Sequence, residues 1–481
     1  MGGFQLELRV VPLIIVGIYM LAMLAVGFLI GKLKIKDSKD YLLAGRRMGM
    51  LMLGVSLSAS NIGGGSTMGV ATRAFGDWGM SSLWWVLAAS VAMVPISYFA
   101  PAIRRTLAYT IPEVINRRFG NAAGGITAAL SASSLFLLTS SQIVAASTVI
   151  NVLTGIPFAV AAMMAAFVIL FYTCFGGMTA DIISDIIQFI VLALGMLISI
   201  PFIINGVGGW EAVTANVPYN HMNFTRIGWF MIISLIINYF CTFLAGPEMM
   251  VRVYSAKDEK NARGACMISA LVMAGMGVLP TVIGLAVLSY FPGLDGGTGA
   301  SALIWGASNF APEIVVGLMA AAILAATMSS ADSNLICSST IIIKDVYQRY
   351  INPNPISEKK LVFISRMCNV ALGLLAMGIA MFRVDIITMN LFAFALRSAG
   401  PFAAFLLGTM WKRATRHSGL VAILVGSVVA VVWEIIGHPL GIMPVVVGAA
   451  SSALSLVLVT LIQSKMGVPP APLAASKDAQ G

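Results

Sequence analysis

The sequence predicts an all-α polytopic membrane protein with about thirteen transmembrane helices, its N-terminus outside and its C-terminus inside. Three observations predict it. Of 481 residues, 59% are hydrophobic and only 10% charged, with a mean hydropathy of +0.94, whereas soluble domains carry roughly a quarter charged residues. Apolar runs long enough to cross a bilayer recur from one end to the other. The basic residues between them collect in alternate loops.

A bilayer core of about 30 Å takes ~20 apolar residues per helix. The runs occupy 10–31, 49–73, 79–100, 121–153, 157–175, 178–204, 226–250, 262–291, 311–346, 361–381, 385–411, 418–437 and 441–464. Lipid does not tolerate exposed backbone polar groups, so the runs read as helices; a barrel would show short alternating strands. The first run is long enough to span and is followed by a basic stretch, so it is not a cleaved leader. With the N-terminus outside, the inner loops are 32–48, 101–120, 176–177, 251–261, 347–360 and 412–417, plus the C-terminus. With the adjoining helix ends they carry 24 of the 29 Lys and Arg. Arg9, Arg226 and Arg383 lie on the other side, and Arg73 and Arg397 within spans. A wrong helix count would scramble this positive-inside split.

The net charge of +10 is therefore a matter of topology, not of nucleic-acid binding. Cys174, Cys241, Cys266, Cys337 and Cys368 sit in apolar segments at spacings that suit neither zinc nor disulfides, and read as small packing residues. His221, His417 and His438 lie in loops or at helix ends, and no phosphate loop or nucleophile motif occurs in a span. An enzyme is not expected, nor a cofactor. Segment 293–301 reads as a flexible outer loop and the tail from Val468 as disordered.

Two spans are poor helices. The second holds Ser56, Ser58, Ala59, Ser60, Asn61 and Ile62 before three consecutive glycines, Gly63–Gly65. Irregular backbone at that depth is tolerated where it lines a cavity, and its freed carbonyls can take a cation; close packing of small residues is the alternative. The ninth span holds Ala326, Ser329, Ser330, Asp332 and Ser333. Positions 329, 332 and 333 share one helical face, where hard oxygens suit an alkali ion. Serines bonding back to the preceding turn would explain the hydroxyls but not Asp332, because a carboxylate in a span is functional by default. Asp185 in the sixth span is a second candidate, while Asp181, one turn nearer the inner surface, reads as solvated. Arg397 needs an anionic partner, either a protein carboxylate or a substrate. Glu248 reads as interfacial, pairing with Arg252, and Glu434 as pairing with His438 one turn on.

Four stretches, in order, resemble the sodium:solute symporter family of proline, pantothenate, sugar, sialic acid and choline carriers. They are Asp40-Tyr41-Leu42-Leu43-Ala44-Gly45-Arg46-Arg47, the Ala-Ser-Asn-Ile-Gly-Gly-Gly break at 59–65, Gly176-Gly177 through Asp185 to Gln188, and Met328-Ser329-Ser330-Ala331-Asp332-Ser333 with Lys344-Asp345-Val346-Tyr347. Residues 252–260 are similar to the family's inner loop. The resemblance implies a LeuT-like fold of two five-helix inverted repeats, at 49–204 and 226–411, around a midplane site. Residues 1–48 then supply an extra helix and inner loop, 205–225 an outer loop, 412–467 two further helices and 468–481 a cytoplasmic tail.

It also implies the function: a secondary active transporter in which inward sodium flow drives uptake of a small organic solute by alternating access, in a prokaryotic plasma membrane. Carried over, the sodium site takes carbonyls of Ala59, Ile62 and Ala326 and hydroxyls of Ser329 and Ser330. Asp185, Asp332 and Ser333 match a second cation site, but relatives often have Ser at the position of Asp332, so sodium, a proton and a salt bridge all stay open there. Asn61, Leu137 and Gly246 stand where aromatic residues would cage choline. With Arg397 deep in the fold, an amino acid or other small carboxylate is expected, in a pocket of Asn61, Gly64, Gly65, Tyr239, Phe243 and Arg397. A proton-coupled carrier, a symporter for a neutral solute or choline-like cation, and a channel or sensor are the alternatives. The expected partners are solute, sodium and lipid; the oligomeric state is left open, a monomer included.

Overall fold

The computed structural model of the chain describes residues 9–34, 38–291, 302–352, 354 and 356–472. The expected outer loop 293–301 and residues 473–481 of the expected tail lie outside them. Among the described residues the chain is helical, the one β-type contact being an isolated bridge between Met48 and Ala256.

The helices that build the bundle are α1 Val10–Lys34, α2 Met50–Asn61, α3 Val70–Phe75, α4 Trp84–Arg105, α5 Ile111–Phe119, α6 Asn121–Thr154, α7 Phe158–Gly206, α8 Trp229–Leu244, α9 Pro247–Ser255 and α10 Glu259–Met276. They continue with α11 Val278–Tyr290, α12 Ala302–Phe310, α13 Glu313–Ile341, α14 Glu358–Ala380, α15 Ile386–Ser398, α16 Pro401–Met410, α17 Arg416–Ile435 and α18 Pro444–Lys465. Nine stretches of described helix are long and apolar enough to cross a membrane, or eleven if α8–α9 and α15–α16, bent by 55° and 44°, each count as one span. Shorter apolar helices, Met50–Asn61 and Phe158–Cys174, occupy two more of the runs read from the sequence.

Local signals set the ends. At α5, Thr110 accepts from the Glu113 backbone N–H at 3.1 Å while the Glu113 carboxylate accepts from the Tyr109 N–H at 2.7 Å, a reciprocal cap that fixes the turn entering the helix. Asp258 caps α10 by accepting from the Asn261 N–H at 2.8 Å. The pair Gly176-Gly177 marks a hinge in α7, where Gly177 has φ 53° and ψ −175°. A Cβ there would lie 2.6 Å from the Tyr41 ring. Gly177→Ala should therefore lower the melting temperature in detergent, with strain of about 1–3 kcal/mol; an unchanged melting temperature would show that the hinge relaxes freely.

Burial grades from rim to centre. In α1 only 22% of the most apolar window is buried, against 89% in the span beginning with α13. Leu21 on α1 and Leu271 on α10 are 68% and 79% exposed, as lipid-facing side chains are. The α13 helix is the hub, packed along α7, α6 and α1. The sequence's densest group of buried hydroxyls and its Asp332 thus lie on the most enclosed helix, where each polar group must find a partner inside the protein.

Candidate functional site

The second span breaks as expected. The α2 helix stops at Asn61, and Ile62 leaves helical geometry with φ −88° and ψ 69°. A wide π-type turn over Gly65–Gly69 then leads into α3. The three glycines face three different neighbours. A Cβ on Gly63 would collide with the Ser330 hydroxyl, one on Gly64 would lie 2.5 Å from Ala145, and one on Gly65 would collide with the Asn390 amide. Close backbone approach to α13, α6 and α15 together is what excludes a side chain. The opened backbone is held from outside its own span: the Gly64 N–H donates to Gln142 Oε1 at 2.7 Å.

Across the break lies the serine face of α13. Ser330 Oγ donates to the Ser60 carbonyl at 2.9 Å, and Ser329 Oγ donates to Asp185 Oδ1 at 2.5 Å. Ala59, Ile62 and Ala326 are buried beside them, and Thr327, next to Ala326, reaches within 3.6 Å of where a Cβ on Gly64 would be. The five residues expected around sodium therefore belong to two segments in direct contact.

Below the break is a buried charge cluster. Arg252 Nη2 donates to Asp181 Oδ2 at 2.8 Å, to Asp185 Oδ2 at 2.8 Å and to Ser333 Oγ at 2.7 Å, while Nε donates to Ser56 Oγ at 2.7 Å. Arg252, Asp181 and Asp185 are all essentially inaccessible. Two carboxylates share one guanidinium, with Ser56, Ser329 and Ser333 supplying hydroxyls to them. Two sequence expectations are corrected here. Asp181 is not solvated, being 1% exposed, because α7 beyond its hinge runs against α13 and α2. Arg252 does not pair with the Glu248 carboxylate; it takes only the Glu248 carbonyl, at 2.8 Å.

Asp332 parts company with Asp185 and Ser333. Its Oδ1 accepts from Thr173 Oγ1 at 2.7 Å, on the near side of the α7 hinge, and Oδ2 has no partner among the described residues. The side chains of Tyr19 and Gln188 are neighbours there, and Tyr172 is hydrogen-bonded to Ser184. The residues expected at a second site thus fall into two neighbouring polar groups.

Beside the break lies a small, partly enclosed cavity with a largely polar lining. Of the residues read as a solute pocket, Asn61, Gly65, Tyr239 and Arg397 line it. Gly64 and Phe243 do not: Gly64 turns to α6, and Phe243 stands behind Tyr239 with ring centroids 5.1 Å apart. Trp85, Gln142, Asn390, Phe394 and Glu248 are also part of the wall and were not foreseen. A mid-span signal existed for the amides: Gln142 follows Thr139-Ser140-Ser141, and Asn390 interrupts an apolar run. Ser141 Oγ donates to Asn390 Oδ1 at 2.7 Å, locking that side chain. Glu248 is not interfacial but buried, and accepts from Arg397 Nη1 at 2.5 Å. Arg397 thus has its protein carboxylate and is also part of the cavity wall. As expected, Glu434 and His438 meet one turn apart, at 2.7 Å.

A family model described as the sodium:solute symporter family matches residues 41–426. The chain belongs to that family. It is 27% identical over 473 residues to an osmoregulated proline transporter of Bacillus subtilis, covering 94% of this chain and 95% of the relative. A sodium/proline symporter of Staphylococcus aureus is 27% identical over 446 residues, covering 87% and 85%. Among solved structures, a substrate-bound, outward-open Na+-coupled sialic acid symporter aligns with a TM-score of 0.82 at 20% identity, over 97% of this chain and 100% of the other. Mhp1, a nucleobase-cation-symport-1 family transporter in a closed conformation, aligns at 0.61 and 15% identity, over 92% and 98%. These structural likenesses carry the fold, a LeuT-like one. Membership makes the chain a multi-pass plasma-membrane transporter rather than an enzyme, with sodium as its coupling ion and a solute as its cargo.

Proposed function

We propose that this symporter takes up an amino acid or another small carboxylate by alternating access. The observation that carries the reading is the contact of the broken span with the serine face, Ser330 Oγ on the Ser60 carbonyl. Sodium there, on carbonyls of Ala59, Ile62 and Ala326 and hydroxyls of Ser329 and Ser330, fixes the spacing of α2 and α13 and completes the cavity beside it. Solute and ion then raise each other's affinity by the same factor, and the repeats 49–204 and 226–411 rock to open inward. A membrane potential of 100 mV adds roughly 2.3 kcal/mol per net charge moved.

Thirteen membrane crossings, with the N-terminus outside, belong to the same proposal. It is supported by arginines that tie loops together at one end of the bundle: Arg46 on the Ala108 carbonyl, Arg104 on that of Ala256 and Arg118 on that of Trp411. The relatives named as proline transporters support an amino acid as cargo. Asp332 Oδ2, without a hydrogen-bond partner among the described residues, favours a second reading, in which a proton or second cation is carried there while Asp185 and Ser333 stay with Arg252. The test is uptake of labelled amino acids, monocarboxylates, pantothenate and sugars into proteoliposomes under imposed gradients. Uptake of an amino acid or carboxylate should collapse when the sodium gradient is removed. Uptake driven equally by a pH gradient without sodium would replace this reading by the proton-coupled one.

A further inference from the structure

We propose that the Glu248–Arg397 ion pair recognises a zwitterion, engaging the ammonium and carboxylate of one α-amino acid together. The inference rests on the reading of the cavity as the solute site, and narrows it.

Both charges stand at helix breaks in the cavity wall. Glu248 lies in the first turn of α9, which starts afresh after Gly246 at 55° to α8. Arg397 lies in the last turn of α15, before the 44° bend into α16. A helix N-terminus carries partial positive charge and a C-terminus partial negative charge. Each side chain therefore opposes the end on which it stands, and the whole assembly is close to neutral while offering two adjacent opposite charges. Gly246 keeps the pair clear: a Cβ there would lie 3.2 Å from Glu248 Oε1 and 3.4 Å from Arg397 Nη2. Arg397 Nε has no hydrogen-bond partner among the described residues and is a spare donor.

The charge balance selects the solute. A monocarboxylate drawn to Arg397 places a second carboxylate beside Glu248, which is already 2.5 Å from the same guanidinium. An amine drawn to Glu248 meets Arg397 in the same way. Like charges so placed in a poorly solvated site are strongly disfavoured. A solute with both charges presents carboxylate to Arg397 and ammonium to Glu248 and leaves the cavity's net charge unchanged. The remaining wall is mixed: amides of Asn61, Gln142 and Asn390 stand with an aromatic group in which Trp85 packs edge-on to Tyr239 with centroids 5.7 Å apart, and Phe394 to Tyr239 at 5.9 Å. The guanidinium also sits 5.1 Å above the Phe394 ring, which holds its plane.

The experiment uses the full chain in proteoliposomes with an inward sodium gradient. Uptake of the neutral amino acids is compared with that of their deamino and decarboxy analogues: alanine with propionate and ethylamine, proline with cyclopentanecarboxylate and pyrrolidine, and so on. At least one amino acid should exceed both of its analogues by about a hundredfold or more in kcat/KM, as sites built around a polar group reject solutes lacking it. Glu248→Gln should shrink the gap between that amino acid and its deamino analogue to under about tenfold. A merely structural ion pair would lower both rates and leave their ratio alone. If the variant does not fold, the wild-type ratios decide alone. Deamino acids taken up as well as amino acids would overturn the zwitterion and leave sodium-carboxylate symport standing. Sodium-driven uptake of sugars with neither acid class taken up would overturn both.

Discussion

Arg252→Met should leave little folded protein, with a loss of about 3–5 kcal/mol. The guanidinium is the only base in contact with Asp181 and Asp185 among the described residues, and each carboxylate is 1% exposed or less. Methionine has similar length and no charge, so the packing volume is roughly kept and the loss reads the electrostatics. Two carboxylates would then be buried together with hydroxyl donors alone to stabilise them. Adding Asp181→Asn and Asp185→Asn to Arg252→Met should recover most of the stability, because replacing a whole buried ion cluster by neutral groups is often close to neutral. Melting in detergent, followed for the single and triple variants, measures both. A single variant as stable as the wild type would mean that the cluster is not closed in the folded protein.

The contrast between that cluster and the broken span shows what a sequence of this kind discloses. Spans were legible because lipid imposes one simple rule, a long apolar run per crossing. The break was legible because Gly63, Gly64 and Gly65 are adjacent, and three neighbouring positions without side chains imply three close neighbours. The α7 hinge at Gly177 falls where the sequence showed a two-residue loop, 176–177, between two apolar runs. Arg252 was not. Its partners lie 71 and 67 positions away on another helix, whereas the sequence offered Glu248 one turn away. Glu248 in turn reaches 149 positions along the chain to Arg397. Local spacing finds pairs about four positions apart, as it found Glu434 and His438, and is blind to pairs between distant helices.

Asp332 lies apart from Ser333 and Asp185 for a subtler reason. Positions 332 and 333 point about 100° apart around a helix, so the expected common face was broad. The neighbouring α7 is hinged at Gly177 and presents Thr173 before the hinge and Asp181 and Asp185 beyond it. Adjacent residues on α13 therefore meet different halves of one bent neighbour, which no helical wheel of α13 alone contains.

Ser330→Ala should raise the sodium concentration for half-maximal uptake by about ten- to a hundredfold. The proposed ion site draws on five oxygens, and removing one that interacts with a charge costs about 1.5–3 kcal/mol, each 1.4 kcal/mol being a factor of ten in affinity. Ser330 is the informative choice because its hydroxyl already spans the two segments that the ion would join, reaching the Ser60 carbonyl at 2.9 Å. Ser329 is a poorer probe, since its hydroxyl also serves Asp185 at 2.5 Å and its loss would disturb the Arg252 cluster. The removed hydroxyl also faces Gly63, so Ser330→Ala opens space without a clash, and folding should be little affected. Because the ion and solute are coupled, the apparent solute affinity should fall in parallel at low sodium and recover at saturating sodium. Sodium titration of uptake at several solute concentrations separates these effects. A half-saturation unchanged from wild type would remove Ser330 from the site; a shift that persists for the solute at saturating sodium would move Ser330 from the ion to the cavity wall, which it also borders.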